Sequence, residues 1–375
     1  MEILGDTILI YSVHKALNKV TFRVPTFPLA PDRLKNLKHL EMKESMVSII
    51  ESLPELCPGL QNLGLCSSSL PKIKAFQHLK NLKVHFSSMK TDKFIDLFHN
   101  LAQCSLIGLD LKFGIQEGAQ LRQVTQLLER QRKLQSLKLQ INCEKRFSDL
   151  GYYRIVFKAI DELLHLRNLS ISITPKRKKS FFSFSALHPV FTKIFTKPIP
   201  LESFKLHIEY FSITNQEFLD ILKSLQPAAP TLKKLRIDIG TTKLKKKEMQ
   251  GLSDFLESLQ NIHSLELKSL VLSSEFLLKN FTDLVCNFPS LRSLALKEIN
   301  AESQKQIFAE SIQEIFQKRG LEKFHSSISE NLGHLLEQSL QPTTIKILRK
   351  INPSLVEVSF FTDFILPDEF KIGKW

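Results

Sequence analysis

One string governs what this chain can fold into. Leu-x-x-Leu-x-Leu, with other apolar residues allowed at the anchors, occurs thirteen times along 375 residues. It stands as LNKVTF from Leu17, LKHLEM from Leu37, LQNLGL from Leu60, LKNLKV from Leu79, LIGLDL from Leu106, LQSLKL from Leu134 and LRNLSI from Leu166. It continues as LESFKL from Leu201, LKKLRI from Leu232, IHSLEL from Ile262, LRSLAL from Leu291, LEKFHS from Leu321 and LVEVSF from Leu355. The intervals run from 19 to 35 residues and average about 28. A single such string fits any amphipathic element. Thirteen in near-regular succession require a repeated structural unit.

Within each string the last two anchors are two residues apart, the period of a strand that buries one face. The first anchor closes the turn leading in. Between strings the spacing is helical, as in Phe218, Ile221, Leu222 and Leu225, in Phe255, Leu256 and Leu259, and in Ile307, Phe308, Ile312, Ile315 and Phe316. Pro58, Pro230, Pro289 and Pro353 each stand two residues ahead of an anchor, where the restricted residue before proline stops a helix. The first three intervals are short, which predicts extended or 3₁₀ backbone there, whereas the later ones hold about two to four helical turns. No unit can bury its apolar face alone, so stacking must supply the core. The expected organisation is a leading segment over 1–16, about thirteen repeats over 17–362 and a tail over 363–375.

These strings and their spacing resemble leucine-rich repeats across roughly residues 17–360. The longer units from Leu79 onward are similar to the intracellular, helix-backed repeats of ribonuclease-inhibitor-like and F-box-associated proteins. CPGLQNLGL and CNFPSLRSLAL resemble the cysteine-containing repeats of F-box proteins. The resemblance implies a right-handed α/β solenoid, a horseshoe with a parallel sheet on its concave face and helices on its convex face. Where that family commonly places Asn or Cys, three residues past the last strand Leu, this chain has Ser45, Ser68, Thr174, Gly240, Leu270 and Ile299. A polar ladder along the loops is therefore expected to be largely absent.

The strand period also says which residues face away from the core, and the resemblance implies that this face binds partners. Lys43, Lys83, His85, Lys112, Lys138, Lys205, His207, Lys234, Arg236, Lys268 and Lys297 are the candidate contacts there. The face carries twelve bases against five acids, a higher proportion than the 52 to 38 of the whole chain. This predicts a protein partner with an acidic surface. Two denser runs, Lys176-Arg177-Lys178-Lys179 and Lys245-Lys246-Lys247, follow strands by a few residues and predict a basic edge of loops.

Net charge +14 and a sequence pI near 9.4 admit a nuclear or phosphate-rich partner. No platform of aromatics accompanies the basic runs, so nucleic acid is the least favoured partner. No GxxxxGK[ST], GxGxxG, GxSxG or HExxH string occurs, and neither a cofactor nor a metal site is expected. His85 and Cys66 fall in adjacent units and could approach each other, but no third orienting group accompanies them. Five scattered cysteines without a CxxC suit free thiols, and no apolar run is long enough for a membrane span or a secretory signal. The expected function is a non-enzymatic protein-interaction scaffold in the cytoplasm or nucleus that reads its partner through the concave face. The F-box resemblance implies a narrower alternative, a substrate-recognition subunit of a ubiquitin ligase in contact with other ligase subunits. A basic nuclear protein is the third reading.

Overall fold

Every one of the thirteen strings forms a strand. The structure, a computed structural model, describes residues 19–22, 37–42, 53–65, 75–86, 90–115, 117–143, 151–175, 182–183, 188–191, 195–208, 211–239, 242–243, 245–267, 270–271, 274–299, 311, 314–315, 321–328 and 357–362. The chain divides into two compact units, Met1–Lys178 and Lys179–Trp375.

In the first unit the strands are β1 (Lys19–Phe22), β2 (His39–Met42), β3 (Asn62–Leu65), β4 (Asn81–His85), β5 (Gly108–Ile115), β6 (Ser136–Cys143) and β7 (Asn168–Pro175). Each pairs in parallel with the next. The connecting helices are α1 (Leu53–Leu56), α2 (Thr91–Leu101), α3 (Gly118–Arg130) and α4 (Gly151–Asp161). In-register pairing stacks like anchors: Leu63, Leu82, Leu109, Leu137 and Leu169 form one row, and Leu65, Val84, Leu111, Leu139 and Ile171 another. All ten are buried. Each such side chain contributes about 1.5–3 kcal/mol of transfer free energy.

The helices cover the buried side of this sheet. In α2, Phe94, Leu97, Phe98 and Leu101 recur at helical spacing and are buried. The Phe94 and Phe98 rings stack at 4.2 Å between centroids and meet Phe113 of β5 edge-on. α1 is a single α-helical turn, where the short interval predicts extended or 3₁₀ backbone. One turn suffices because it has only Leu53 to seat in the core.

The second unit begins with β8 (Phe182–Ser183) and α5 (His188–Phe191), then β9 (Ser203–Ile208), β10 (Phe211–Ser212), α6 (Asn215–Ser224) and a 3₁₀ segment at Gln226–Thr231. It continues with β11 (Lys234–Ile239), β12 (Thr242–Lys243), α7 (Lys246–Glu257), β13 (Ser264–Leu267), β14 (Leu270–Val271), α8 (Glu275–Cys286), β15 (Ser293–Ile299), β16 (Lys323–Ile328) and β17 (Glu357–Thr362). Strands β9, β11, β13, β15, β16 and β17 pair in parallel in that order. Two short parallel ladders, β8 with β10 and β12 with β14, lie outside this sheet. Two-residue ladders leave no period to read in a sequence.

Helix starts follow capping chemistry. The Thr214 hydroxyl accepts from Glu217 N at 3.2 Å while Thr214 N donates to Glu217 Oε2 at 2.7 Å, a reciprocal box that opens α6. Phe218, Ile221, Leu222 and Leu225 are buried, as their spacing requires, and so are Phe255, Leu256 and Leu259 around α7. Of the stretch from Ile307 to Phe316 only Ser311, Glu314 and Ile315 are described, with Ile315 buried. Pro353 and the segments 1–16 and 363–375 lie outside the described residues.

A repeated hydrogen bond locks unit to unit. The carbonyl just before eight of the strands accepts two successive N–H groups from the next repeat. Lys38 O takes Gln61 N at 3.0 Å and Asn62 N at 2.9 Å, and Gln61, Lys80, Ile107 and Gln135 carbonyls do the same for the repeats that follow. Glu202, Lys233 and His263 carbonyls repeat the arrangement in the second unit. Side chains satisfy other turn groups. Buried Gln131 accepts from Leu106 N at 2.9 Å and donates to the carbonyls of Cys104 at 2.7 Å and Leu101 at 3.3 Å. Thr231 Oγ1 donates to Leu201 O at 2.9 Å, and Asn261 Nδ2 to Pro230 O at 2.7 Å. Of the loop ladder, Thr174 Oγ1 bonds Asn142 Oδ1 at 2.7 Å. Among the described residues, backbone groups of the turns that precede the strands are satisfied in this way.

Candidate partner-binding face

Strand pleating puts alternate residues on the side of each sheet away from the helices. In β4 this leaves Asn81 exposed and Lys83 and His85 half-buried, and buries Leu82 and Val84. In-register pairing then aligns Glu41, Gly64, Lys83, Asp110 and Lys138 across β2 to β6. The acids and bases of this row pair with one another. Lys83 Nζ reaches Glu41 Oε1 at 2.7 Å across the intervening strand, and Lys138 Nζ reaches Asp110 Oδ2 at 3.0 Å. His85 Nε2 lies 3.2 Å from Asp110 Oδ1. Burial would raise the Asp110 carboxyl, but hydrogen bonds and charges from His85 and Lys138 outweigh it and hold its pKa below the ordinary carboxylate value.

Two glycines shape this surface. A Cβ at Gly64 would lie 3.1 Å from Glu41 Cγ, so the missing side chain is what lets Glu41 and Lys83 meet over β3. At Gly108 a Cβ would overlap Asn81 Oδ1. Asn81 lies down beside it and donates from Nδ2 to Asn62 Oδ1 at 2.5 Å. The result is a depression of about 390 Å³ over Gly64 and Gly108, walled by His39, Asn62, Asn81, Ser136 and the ion pairs. Its walls mix amides with charges of both signs.

The second unit shows the same economy. Arg236 Nη1 pairs with Glu266 Oε2 at 3.0 Å and Nη2 approaches Asp238 Oδ2 at 3.9 Å, while His207 Nδ1 lies 3.1 Å from that same Asp238 oxygen. Lys83, His85, Lys138, His207 and Arg236 therefore face acids of their own chain, which corrects the expectation of an open cationic face. The reason lies in the register: each base sits one or two strands from an acid. Lys112 and Lys234 are exposed, and Lys205 is half-buried on β9. Lys43, Lys268 and Lys176 to Lys179 lie outside the described residues, as does the side chain of Lys297.

Lys245 and Lys247 are exposed, but Lys246 and Lys247 open helix α7 instead of sitting in a loop. Lys245 N donates to Glu248 Oε2 at 3.0 Å, and that acid offsets cations placed at a helix amino terminus. Cys66 lies outside the described residues, and His85 turns to Asp110. Burial pushes the Cys57 thiol up to about 11 and raises Cys104 as well, so both thiols stay neutral at physiological pH. Among the described residues no group of three or more His, Cys, Asp or Glu could hold a metal ion. None of their helices is long and apolar enough to cross a membrane.

No family model and no curated protein matches the sequence. Among solved structures, the crystal structure of the yeast Rad7 and Elc1 complex is similar at 15% identity, covering 92% of this chain and 87% of that one with a TM-score of 0.35. Parallel strands stacked through anchor rows, with helices α1 to α4 and α6 to α8 in the returns that are described, define an α/β leucine-rich-repeat solenoid. That class rests on the chain's own geometry.

Proposed function

We propose that this chain is a non-enzymatic protein-interaction scaffold that recognises a protein partner through the open face of its repeat sheet. The observation that carries the reading is the pair Gly64 and Gly108, which open a polar depression where neighbouring strands carry side chains. An ionised Asp110 held by two bases is suited to accepting hydrogen bonds and poorly suited to donating a proton. A partner must match the paired charges, because burying one member alone is costly.

A narrower reading, a substrate-recognition subunit of an F-box-type ubiquitin ligase acting in the cytoplasm or nucleus, draws on CPGLQNLGL. In that segment Cys57 is fully buried and its carbonyl caps the turn by accepting from Leu60 N at 3.1 Å. One experiment separates the readings. The tagged chain and its Gly64→Arg variant are purified from native cells at low and moderate salt, and bound proteins are identified by mass spectrometry. The scaffold reading expects a salt-resistant partner that Gly64→Arg loses while its circular dichroism and cooperative unfolding show that the chain remains folded, at some cost in stability from crowding Glu41. Cullin-type ligase subunits among the retained proteins would support the narrower reading. A partner set indifferent to Gly64→Arg, or nucleic acid alone and lost as salt rises, would overturn the assignment of this face.

A further inference from the structure

One row of the open face differs from its neighbours. Register places His39, Asn62, Asn81, Gly108, Ser136 and Asn168 opposite one another across β2 to β7. Two residues further along, the same strands carry the ion pairs of Glu41 with Lys83 and of Asp110 with Lys138. The first row holds no carboxylate, lysine or arginine. Its amides and hydroxyl must be satisfied by each other, by solvent or by a guest. In the second unit the equivalent row runs Ser203, Lys234, Ser264 and Ser293, with no amide and no glycine. The amide row is therefore a feature of the first unit.

The amides point one way, and a backbone carbonyl sets the direction. A carbonyl can only accept, so Asn62 turns its Nδ2 to Lys38 O, at 3.5 Å, and its Oδ1 toward β4. Asn81 then presents its own Nδ2 to Asn62 Oδ1, at 2.5 Å, which leaves Asn81 Oδ1 on the side of β5. There Gly108 supplies no side chain, and a Cβ on it would overlap that oxygen. No group of the described residues donates to Asn81 Oδ1. On β6, one strand beyond Gly108, the Ser136 hydroxyl also lines the depression and has no partner among the described residues. The ladder thus ends on an acceptor above a glycine floor, with a hydroxyl on the far wall.

We propose that the depression receives the carboxamide of a Gln or Asn side chain of the partner protein. The guest's NH2 donates to Asn81 Oδ1 and its carbonyl accepts from the Ser136 hydroxyl, so it takes the rung of the ladder that Gly108 leaves open. Each amide in such a chain polarises the next, which makes the terminal oxygen a better acceptor than that of an isolated amide. Charge argues against the other donors. Glu41, Lys83, Asp110 and Lys138 line the depression as two ion pairs whose formal charges cancel. An ammonium or guanidinium guest would bring an unbalanced charge among walls already paired. A hydroxyl guest carries a single donor, whereas a carboxamide carries donors and an acceptor on separate atoms, one for each wall. The inference rests on the scaffold reading of this same depression and names the side chain that it takes.

The test pans a random-peptide library displayed on phage against the full chain, and measures recovered peptides by fluorescence anisotropy. Peptides that Gly64→Arg loses should share a Gln or Asn at one fixed position. Replacing that residue with Leu should weaken binding about fivefold, and Glu should weaken it further by setting a carboxylate against Asn81 Oδ1. Asn81→Leu, at an exposed position, should cost about the same fivefold, and the two losses should not add, because each removes the same bond. Asn168→Leu, in the same row but outside the depression, should change affinity less than about twofold. Circular dichroism checks that each variant is folded. Peptides that Gly64→Arg loses but whose fixed residue is charged, hydroxylic or aromatic would overturn the carboxamide and leave the face reading standing. Additive losses from the peptide change and Asn81→Leu would do the same. Peptides that Gly64→Arg retains, or a library that yields none, would overturn the carboxamide and the face reading together.

Discussion

Asp110 illustrates how a single residue organises the first unit's face. It faces two bases on flanking strands, His85 25 residues before it and Lys138 28 residues after it. Its carboxyl is held below the ordinary value, so the stability it contributes is present above the unfolded carboxylate pKa of about 3.9 and is lost as pH falls through the lower folded value. Asp110→Asn should therefore cost about 1–2 kcal/mol at pH 7, with the gap to the unsubstituted chain closing below about pH 4. Urea unfolding at neutral and acidic pH checks this, and a gap that stays constant with pH would mean the carboxylate's charge contributes nothing. None of this pairing is visible in the sequence. The bases of the face could be read from the strand period, but their partners lie up to 42 residues away, and only the register between strands brings them into reach. Gly64 likewise reads as a weak strand residue until Glu41 and Lys83 are seen to meet across it.

Elements were more legible than contacts, for a physical reason. The string Leu-x-x-Leu-x-Leu encodes a turn and a one-faced strand within six residues, so all thirteen strands could be placed locally. The box at Thr214 and Glu217, and the buried stripe from Phe218 to Leu225, are local in the same sense. What escaped was the way loops and turns satisfy their backbone. In the turns before the strands, bonds between successive repeats satisfy the backbone, and no local pattern announces them. Gln131 shows what such a bond involves. Its amide serves one N–H and two carbonyls of the preceding turn, all from a fully buried position. Gln131→Ala should strand those groups and cost about 2–4 kcal/mol, seen as a lower urea midpoint with Asp110 and the face untouched. A loss below about 0.5 kcal/mol would mean that water replaces the amide and that the turn is not held by it.

Charge is the property that only the whole molecule explains. A net +14 could have been spread evenly, and the strand period placed twelve bases against five acids on the open sheet face. The structure pairs much of that face internally, while Lys38, Lys80, Arg132 and Lys133 stand exposed in the turns that precede strands of the first unit. Lys38 and Lys80 stand two strand spacings apart, about 10 Å, where two unit charges in water repel by about 0.4 kcal/mol. Replacing Lys38, Lys80 and Arg132 together with Gln should therefore stabilise the isolated chain, against the usual direction of substitution. The expected rise in melting temperature is about 1 °C at 10 mM salt, where screening extends only beyond about 30 Å. At about 0.5 M salt the rise should vanish, because the Debye length there falls well below the spacing. Scanning calorimetry at the two salt concentrations decides the matter. A rise that persists in high salt would trace to helix or turn propensity and not to charge. A fall at low salt would show that these bases are already paired within the chain.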